Sequence, residues 1–373
     1  MTSKFRADHV GSLLRPPELL EARAAHKQGR ISAEQLREVE DSSILKALEV
    51  QRQAGVDVFT DGEYRRAVWY GPLSNGIDGF VDNAERVSSF RTLTGQRLWK
   101  GRGGELAEQT LAEVGEIGQV VGAKLRLVGR MTDGEAAFLR QHAPGPWKIT
   151  MPGVYSRAGM WFQAGLTEQF YPTRQALVNE LVGFMQAEVR QLIDEGVSYF
   201  QLDSLTYAMS AGGPSFLGTS VDDVIAADNA VIEVAKAGGA TVGLHVCRGN
   251  NRSAWATEGS YEPTAEKAFN QLHADRFLLE YDTERAGGFE PLRFMPKDKV
   301  VVLGLISSKE PELESLDSLR RRIDEAARYV PMENLAISPQ CGFASTAPGN
   351  LLTWDDQRRK LDLVAAAARK FWS

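Results

Sequence analysis

Short apolar runs recur along the chain, each closed by Gly, Asp, Ser or Pro and followed by a longer stretch whose apolar positions repeat with a helical period. Eight of them predict strands: VDVFT at 56–60, LRLVG at 125–129, WKITM at 147–151, YFQLD at 199–203, VGLHV at 242–246, FLLEY at 277–281, VVLGLI at 301–306 and LAISP at 335–339. Helical periodicity covers 31–55, 173–196, 220–239 and 313–330, and a last helix over 352–372 closes the chain. Strands that read as apolar on both faces and alternate with helices imply a parallel sheet. Eight repeats favour an α/β fold closed into a TIM (β/α)8 barrel over an open doubly wound sheet.

Local signals agree with this rhythm. Ser32, Thr173, Ser220 and Thr353 stand where N-caps belong, and Gly55, Gly196 and Gly238 where helices end. Residues 83–124 depart from it, and RVSSFRTLTGQRLWKGRGG within them predicts a hairpin or excursion beyond the barrel. Length alone would allow two or three domains, but no Pro- or Ser-rich linker divides the chain, so residues 1–373 are read as one barrel domain carrying that excursion.

Composition narrows the partners. With 43% hydrophobic and 25% charged residues the chain can bury a large core, which excludes a disordered protein. A net charge of −6 leaves no basic surplus for a phosphate backbone, so no nucleic-acid partner is expected. No apolar stretch is long enough for a membrane span, and MTSKFRADHVGSLLRPP lacks the apolar run of a signal peptide. The expectation is a cytoplasmic protein without a membrane partner; whether it is a monomer or a homo-oligomer stays open. Two cysteines, Cys247 and Cys341, are too few to staple a secreted scaffold, which leaves core, metal-binding or reactive roles.

Catalytic groups of a parallel barrel sit at the carboxyl ends of its strands. The polar residues there are Asp61 and Glu63, Asp203, His245 and Cys247, Glu280, Ser307, Ser308 and Lys309, and Cys341; a ninth segment, DHVGS, adds His9 and Ser12. His245 and Cys247 are two residues apart in an extended run, so both side chains face one side and can chelate one ion. Imidazole and thiolate are preferred zinc ligands, and Cys341 with Glu280 would complete a four-coordinate set. Each of these residues also fits a plain role, Cys as a small core residue, His hydrogen-bonded, Glu280 paired with Arg276 or Arg285, and spacing alone leaves both readings open. Asp61, Glu63 and Asp203 can converge on the mouth to hold an ammonium group or move a proton. Trp69, Tyr70, Tyr155, Trp161, Phe162, Tyr171 and Tyr207 crowd the same loops, either as cleft walls or as loop packing. Neither a phosphate-loop pattern nor a G-x-S-x-G elbow occurs, which disfavours nucleotide hydrolysis and serine-hydrolase chemistry.

Taken in order, HVGS, TDGE, QLD, HVCRGN, FLLEYD and SPQCGFAS resemble the catalytic barrel of cobalamin-independent methionine synthases, more narrowly their short single-barrel relatives, over nearly the whole chain. That superfamily also holds uroporphyrinogen decarboxylase and zinc-dependent epoxyalkane:coenzyme M transferases. The resemblance implies a Zn2+ cofactor on His245, Cys247, Glu280 and Cys341. It further implies homocysteine binding by Val10, Ser12, Glu63 and Asp203, the two acids holding the amino group.

Three departures accompany it. The chain has no room for the second, N-terminal barrel of full-length enzymes. Ser204 follows Asp203 where the family has Glu, and ISSKEP replaces the segment that carries the family's catalytic His. The expected activity is therefore methyl transfer to a homocysteine-like thiol from a methyl-folate or methyl-corrinoid donor, with Glu63, Asp203 and His9 as the catalytic residues, His9 supplying the missing proton. The rival readings are alkyl transfer to coenzyme M, whose sulfonate would recruit Arg6, Arg15, Arg65 or Lys309, and a non-catalytic zinc-binding barrel.

Overall fold

The computed structural model describes residues 5–83, 99–113, 119–211 and 220–372. Strands β1 (Ile77–Asp82) and β2 (Gln119–Leu127) pair antiparallel, with Ile77 opposite Leu127. Six more strands lie parallel in chain order: β3 (Ile149–Pro152), β4 (Tyr199–Ser204), β5 (Thr241–Val246), β6 (Arg276–Glu280), β7 (Val300–Ile306) and β8 (Leu335–Pro339).

Two short extended segments close these six into a ring. Asp8 N donates to Ile337 O of β8 at 3.0 Å, and Asp57 N donates to Ala7 O at 2.9 Å. On the other side Phe59 N donates to Pro146 O at 2.8 Å and Lys148 N to Phe59 O at 3.0 Å. Ala7 with Ile337 and Phe59 with Trp147 are both parallel bridges, so the staves around residues 7 and 59 join β3–β8 in an eight-stave barrel.

The expected stave at 125–129 is not one of them. Its residues belong largely to β2, whose partner is β1, and the DHVGS segment takes the vacant place. The run LRLVG lies in a hairpin packed against the segment after β3, where Leu125 is 2% exposed and its N–H donates to Tyr171 Oη. The true first stave is short and carries buried Asp8 and His9, so it does not read as a strand. Of RVSSFRTLTGQRLWKGRGG, residues 86–98 lie outside the described residues; the hairpin that is described, β1 with β2, is formed by the segments flanking it. The helix Gly104–Glu113 follows, and Lys100 forms an antiparallel bridge with Trp255, in the loop after β5.

All four expected N-caps accept from a backbone N–H three residues on: Ser32 from Gln35, Thr173 from Ala176, Ser220 from Asp223 and Thr353 from Asp356. Gly55 and Gly196 adopt left-handed φ of 80° and 96°, but Gly238 has φ −81° and the left-handed turn falls on Gly239 at 83°. Among the described residues no helix is long and apolar enough to cross a membrane.

Most of the core fills the space between barrel and helices. Inside the barrel, Val10, Leu278, Val300, Val302 and Ala336 form a small apolar layer. Beneath it lies a polar plug: Lys148 Nζ and Tyr199 Oη donate to Asp8 at 2.7 and 3.0 Å, with Arg276 3.4 Å away, all fully buried. Apolar layer and plug fill the barrel below its carboxyl end.

Candidate metal centre

Alternation along β5 turns Gly243 and His245 into the barrel, and Cys247 follows on the same side. His245 Nδ1 lies 3.2 Å from Leu278 O on neighbouring β6, which fixes the proton on Nδ1 and leaves the Nε2 lone pair facing the mouth. That buried Nε2 has no hydrogen-bond partner. Glu280 ends β6 and is completely buried; its Oε1 accepts from Arg248 N at 2.7 Å. Cys341 follows β8, its sulfur 3.7 Å from that of Cys247. One ligand atom from each of His245, Cys247, Glu280 and Cys341 lies within 4.8 Å of the others.

The charges of these groups call for a cation. The bond from Cys247 pulls the Cys341 thiol well below the usual range, against the effect of burial, with His245 and Lys309 reinforcing it. Cys247 moves the opposite way, raised by its bond to Cys341 and by burial. Burial disfavours a charged His245, yet Cys341 outweighs it and pushes the imidazole up to about 9. Burial also raises Glu280. Two sulfurs, one imidazole nitrogen and one carboxylate make a four-donor set of the kind zinc prefers, one member of which can give way to an incoming thiol. The residues fit the metal.

Buried amides hold the loops that carry the two cysteines. Asn250 Nδ2 donates to Gly342 O at 2.7 Å, and Lys309 Nζ donates to Asn250 Oδ1 at 2.6 Å. Asn350 Nδ2 donates to Ser308 O at 2.7 Å, and Ser308 Oγ lies 2.8 Å from Gln340 Oε1. Ser308 and Lys309 are thus built into the scaffold beside the quartet.

The cleft above the quartet is lined by Val10, Ser12, Glu63, Asp203, His245, Cys247 and Cys341, with Trp69, Tyr70, Trp99, Met160 and Met209 as its apolar walls. Glu63 is held at φ 60°, a strained value for a side-chain-bearing residue, with its N–H donating to Asp61 Oδ1 at 2.9 Å. Its Oε1 accepts from Thr150 Oγ1 at 2.8 Å, while buried Oε2 has no partner, and burial raises its pKa. Gly11, at φ 142°, leaves room for that carboxylate: a Cβ there would sit 3.0 Å from Glu63 Oε1. Asp203 Oδ1 accepts from Gln201 Nε2 at 2.8 Å, and burial pushes Asp203 up to about 7. Two half-satisfied carboxyls therefore face one cleft.

His9 is not brought there. Asp8 bonds into the plug and Val10 lines the cleft, so the alternation that unites His245 and Cys247 sends His9 outward. Its Nε2 lies 3.0 Å from Gln51 Oε1 and 3.1 Å from Val58 O, and burial lowers its pKa to about 4. The expected proton-donor role of His9 is corrected accordingly. Among the expected aromatics, Trp69 and Tyr70 line the cleft, whereas Tyr171 Oη accepts from Leu125 N at 2.9 Å and Tyr207 Oη donates to Asp228 at 2.8 Å. Arg6, Arg15, Arg65 and Lys309 do not line it; Arg157, which no sequence pattern singled out, does. Trp99 also went unnoticed, because only the return of the excursion onto Trp255 carries it to the mouth.

An eight-stave parallel barrel with a His, Cys, Glu, Cys quartet and two acids at its carboxyl end defines an α/β-barrel protein with a candidate metal centre. The family model for the cobalamin-independent synthase, catalytic domain, matches residues 165–370, and the chain belongs to this methionine synthase-like family of methyltransferases. It is 35% identical over 389 residues to Bacillus subtilis YxjH, covering 99% of this chain and 95% of that one. It is 24% identical over 337 residues to the methionine synthase of Saccharolobus solfataricus, covering 90% of this chain and 86% of the relative. Among solved structures, the putative vitamin-B12 independent methionine synthase of Listeria monocytogenes superposes with a TM-score of 0.73 at 26% identity, covering 100% of this chain and 99% of that one.

Proposed function

We propose that the protein is a zinc-dependent S-methyltransferase that methylates homocysteine to methionine, with residues 1–373 acting as one catalytic barrel domain. The observation that carries this reading is the convergence of the metal-type quartet and the pair Glu63 and Asp203 on one cleft. His245, Cys247, Glu280 and Cys341 would hold the ion. Bound there, zinc supplies Lewis acidity that lowers the pKa of a substrate thiol, and thiolate co-ligands keep the sulfur electron-rich.

The remaining work falls to the chain. Glu63 and Asp203 bind the substrate ammonium, which replaces their missing partners, and Val10 and Ser12 form the wall beside them. The thiol gives its proton to water as it binds, and the apolar walls then exclude water while a sulfur–methyl bond forms and the donor's bond to that carbon breaks, its electron pair leaving with the donor. Two acids facing the cleft support an amino-acid thiol over coenzyme M, whose sulfonate would oppose them. The donor is methyl-folate or a methyl-corrinoid; a corrinoid, whose leaving group needs no proton, agrees with the loss of an acid at 307–309. Thiol consumption by zinc-loaded protein with each donor tests this reading: homocysteine is consumed and coenzyme M is not. Consumption of coenzyme M alone would overturn it.

A further inference from the structure

Thr150 on β3 and Gln201 on β4 are register partners in neighbouring strands, and both are buried. Each stands two residues beyond a member of the plug, Lys148 or Tyr199, and so belongs to the next layer towards the mouth. Each also holds one of the two cleft acids. Thr150 Oγ1 donates to Glu63 Oε1 at 2.8 Å, and Gln201 Nε2 donates to Asp203 Oδ1 at 2.8 Å and to Val10 O at 2.6 Å.

A buried cation lies behind each of these donors. Arg66 Nη1 donates to Thr150 Oγ1 at 3.2 Å, and Lys148 Nζ donates to Gln201 Oε1 at 2.7 Å. Neither cation can accept a hydrogen bond. The Thr150 hydroxyl, accepting from Arg66, has its single proton left for Glu63; the Gln201 amide, its oxygen taken by Lys148, turns its NH2 to Asp203. Both cations have their charge balanced by other groups. Arg66 forks onto Glu135 at 2.8 and 2.5 Å, and Lys148 pairs with Asp8 at 2.7 Å. The direct approach of Arg66 to Glu63 is long, at 3.9 Å.

A cation set straight against a cleft acid would hold it as an ion-pair partner and neutralise it. A neutral donor placed between them fixes one oxygen of the carboxylate, keeps its charge and leaves the other oxygen for the cleft. The series cation, neutral donor, acid occurs twice, with different residue types, in one layer of the barrel. We propose that Thr150 and Gln201 are positioning residues that hold Glu63 and Asp203 as a pre-oriented pair of acceptors for a substrate ammonium, their own donors aimed by Arg66 and Lys148. This rests on the reading of the two acids as the ammonium site.

Calorimetric titration of the purified protein with L-methionine and with 4-(methylthio)butanoate, the same molecule without its ammonium, tests the assignment. Wild type is expected to prefer methionine by roughly tenfold or more. Thr150→Val and Gln201→Met are close in size to the originals and lack the donor, and each should cut that preference by about threefold to tenfold. Thr150→Ser, which restores the hydroxyl, should recover it. Loss of packing alone would weaken both ligands alike and leave their ratio at the wild-type value. That result in one variant removes its residue from the role; in both, it overturns the proposal and leaves the ammonium site intact. A preference as low in Thr150→Ser as in Thr150→Val also overturns the part given to Thr150. No preference in wild type overturns the ammonium site and the positioning role with it.

Discussion

At the residue scale the site rests on side chains whose polar atoms lack partners. Glu63 Oε2 and His245 Nε2 are buried and unbonded, and groups of this kind are normally satisfied in a folded protein. Glu63→Gln and Asp203→Asn each remove a charged partner for the ammonium of the proposed substrate, worth about 1.5–3 kcal/mol. Steady-state kinetics with homocysteine should show KM raised roughly 10-fold to 100-fold and kcat changed far less, the mark of lost binding in ground and transition state alike. A fall in kcat at constant KM would assign these acids a different task. The positions of Glu63, Asp203 and the quartet were legible in the sequence, because a side chain at the carboxyl end of a barrel strand has few places to go. Arg157 was not, since its partner is a ring on a different loop, and neither was the outward turn of His9, which needs the parity of a stave too polar to be recognised.

At the scale of elements, capping signals were the most reliable part of the reading and strand identity the least. Ser32, Thr173, Ser220 and Thr353 act through neighbours three residues away, so the local sequence holds all the information needed. LRLVG and DHVGS exchanged roles for the opposite reason. Burial of a run says nothing about which partner strand buries it, and inward positions of the first stave are occupied by plug residues rather than apolar ones. The helix Trp354–Phe371 is held at its start by a reciprocal cap, Thr353 with Asp356. Thr353→Ala should lower stability by about 1 kcal/mol, read as an earlier urea midpoint, with zinc content unchanged. An unaltered midpoint would mean that tertiary packing alone fixes this helix.

At the scale of the whole molecule, the polar plug joins the first stave to β3, β4 and β6, and so helps close the barrel under the site. Burial raises the Asp8 carboxyl, but Lys148 and Arg276 outweigh it and hold it at about 2 against an ordinary 3.8. Burial also pulls the Lys148 ammonium down, so the favourable side of the pair lies with Asp8. A depressed carboxyl contributes stability above its unfolded pKa and loses it as pH falls through the folded value. Unfolding free energy should therefore drop by about 2 kcal/mol between pH 5 and pH 2 on account of this group, and Asp8→Asn should remove that part of the slope. An acid limb of equal steepness in Asp8→Asn would place it elsewhere.

The barrel brings β5, β6 and the end of β8 to one point, and zinc is proposed to bind there. Metal analysis of purified protein, wild type beside Cys341→Ser, settles the matter: about one zinc per wild-type chain and near-complete loss in the variant with the fold retained are expected, whereas full zinc occupancy in Cys341→Ser would remove the metal from this site.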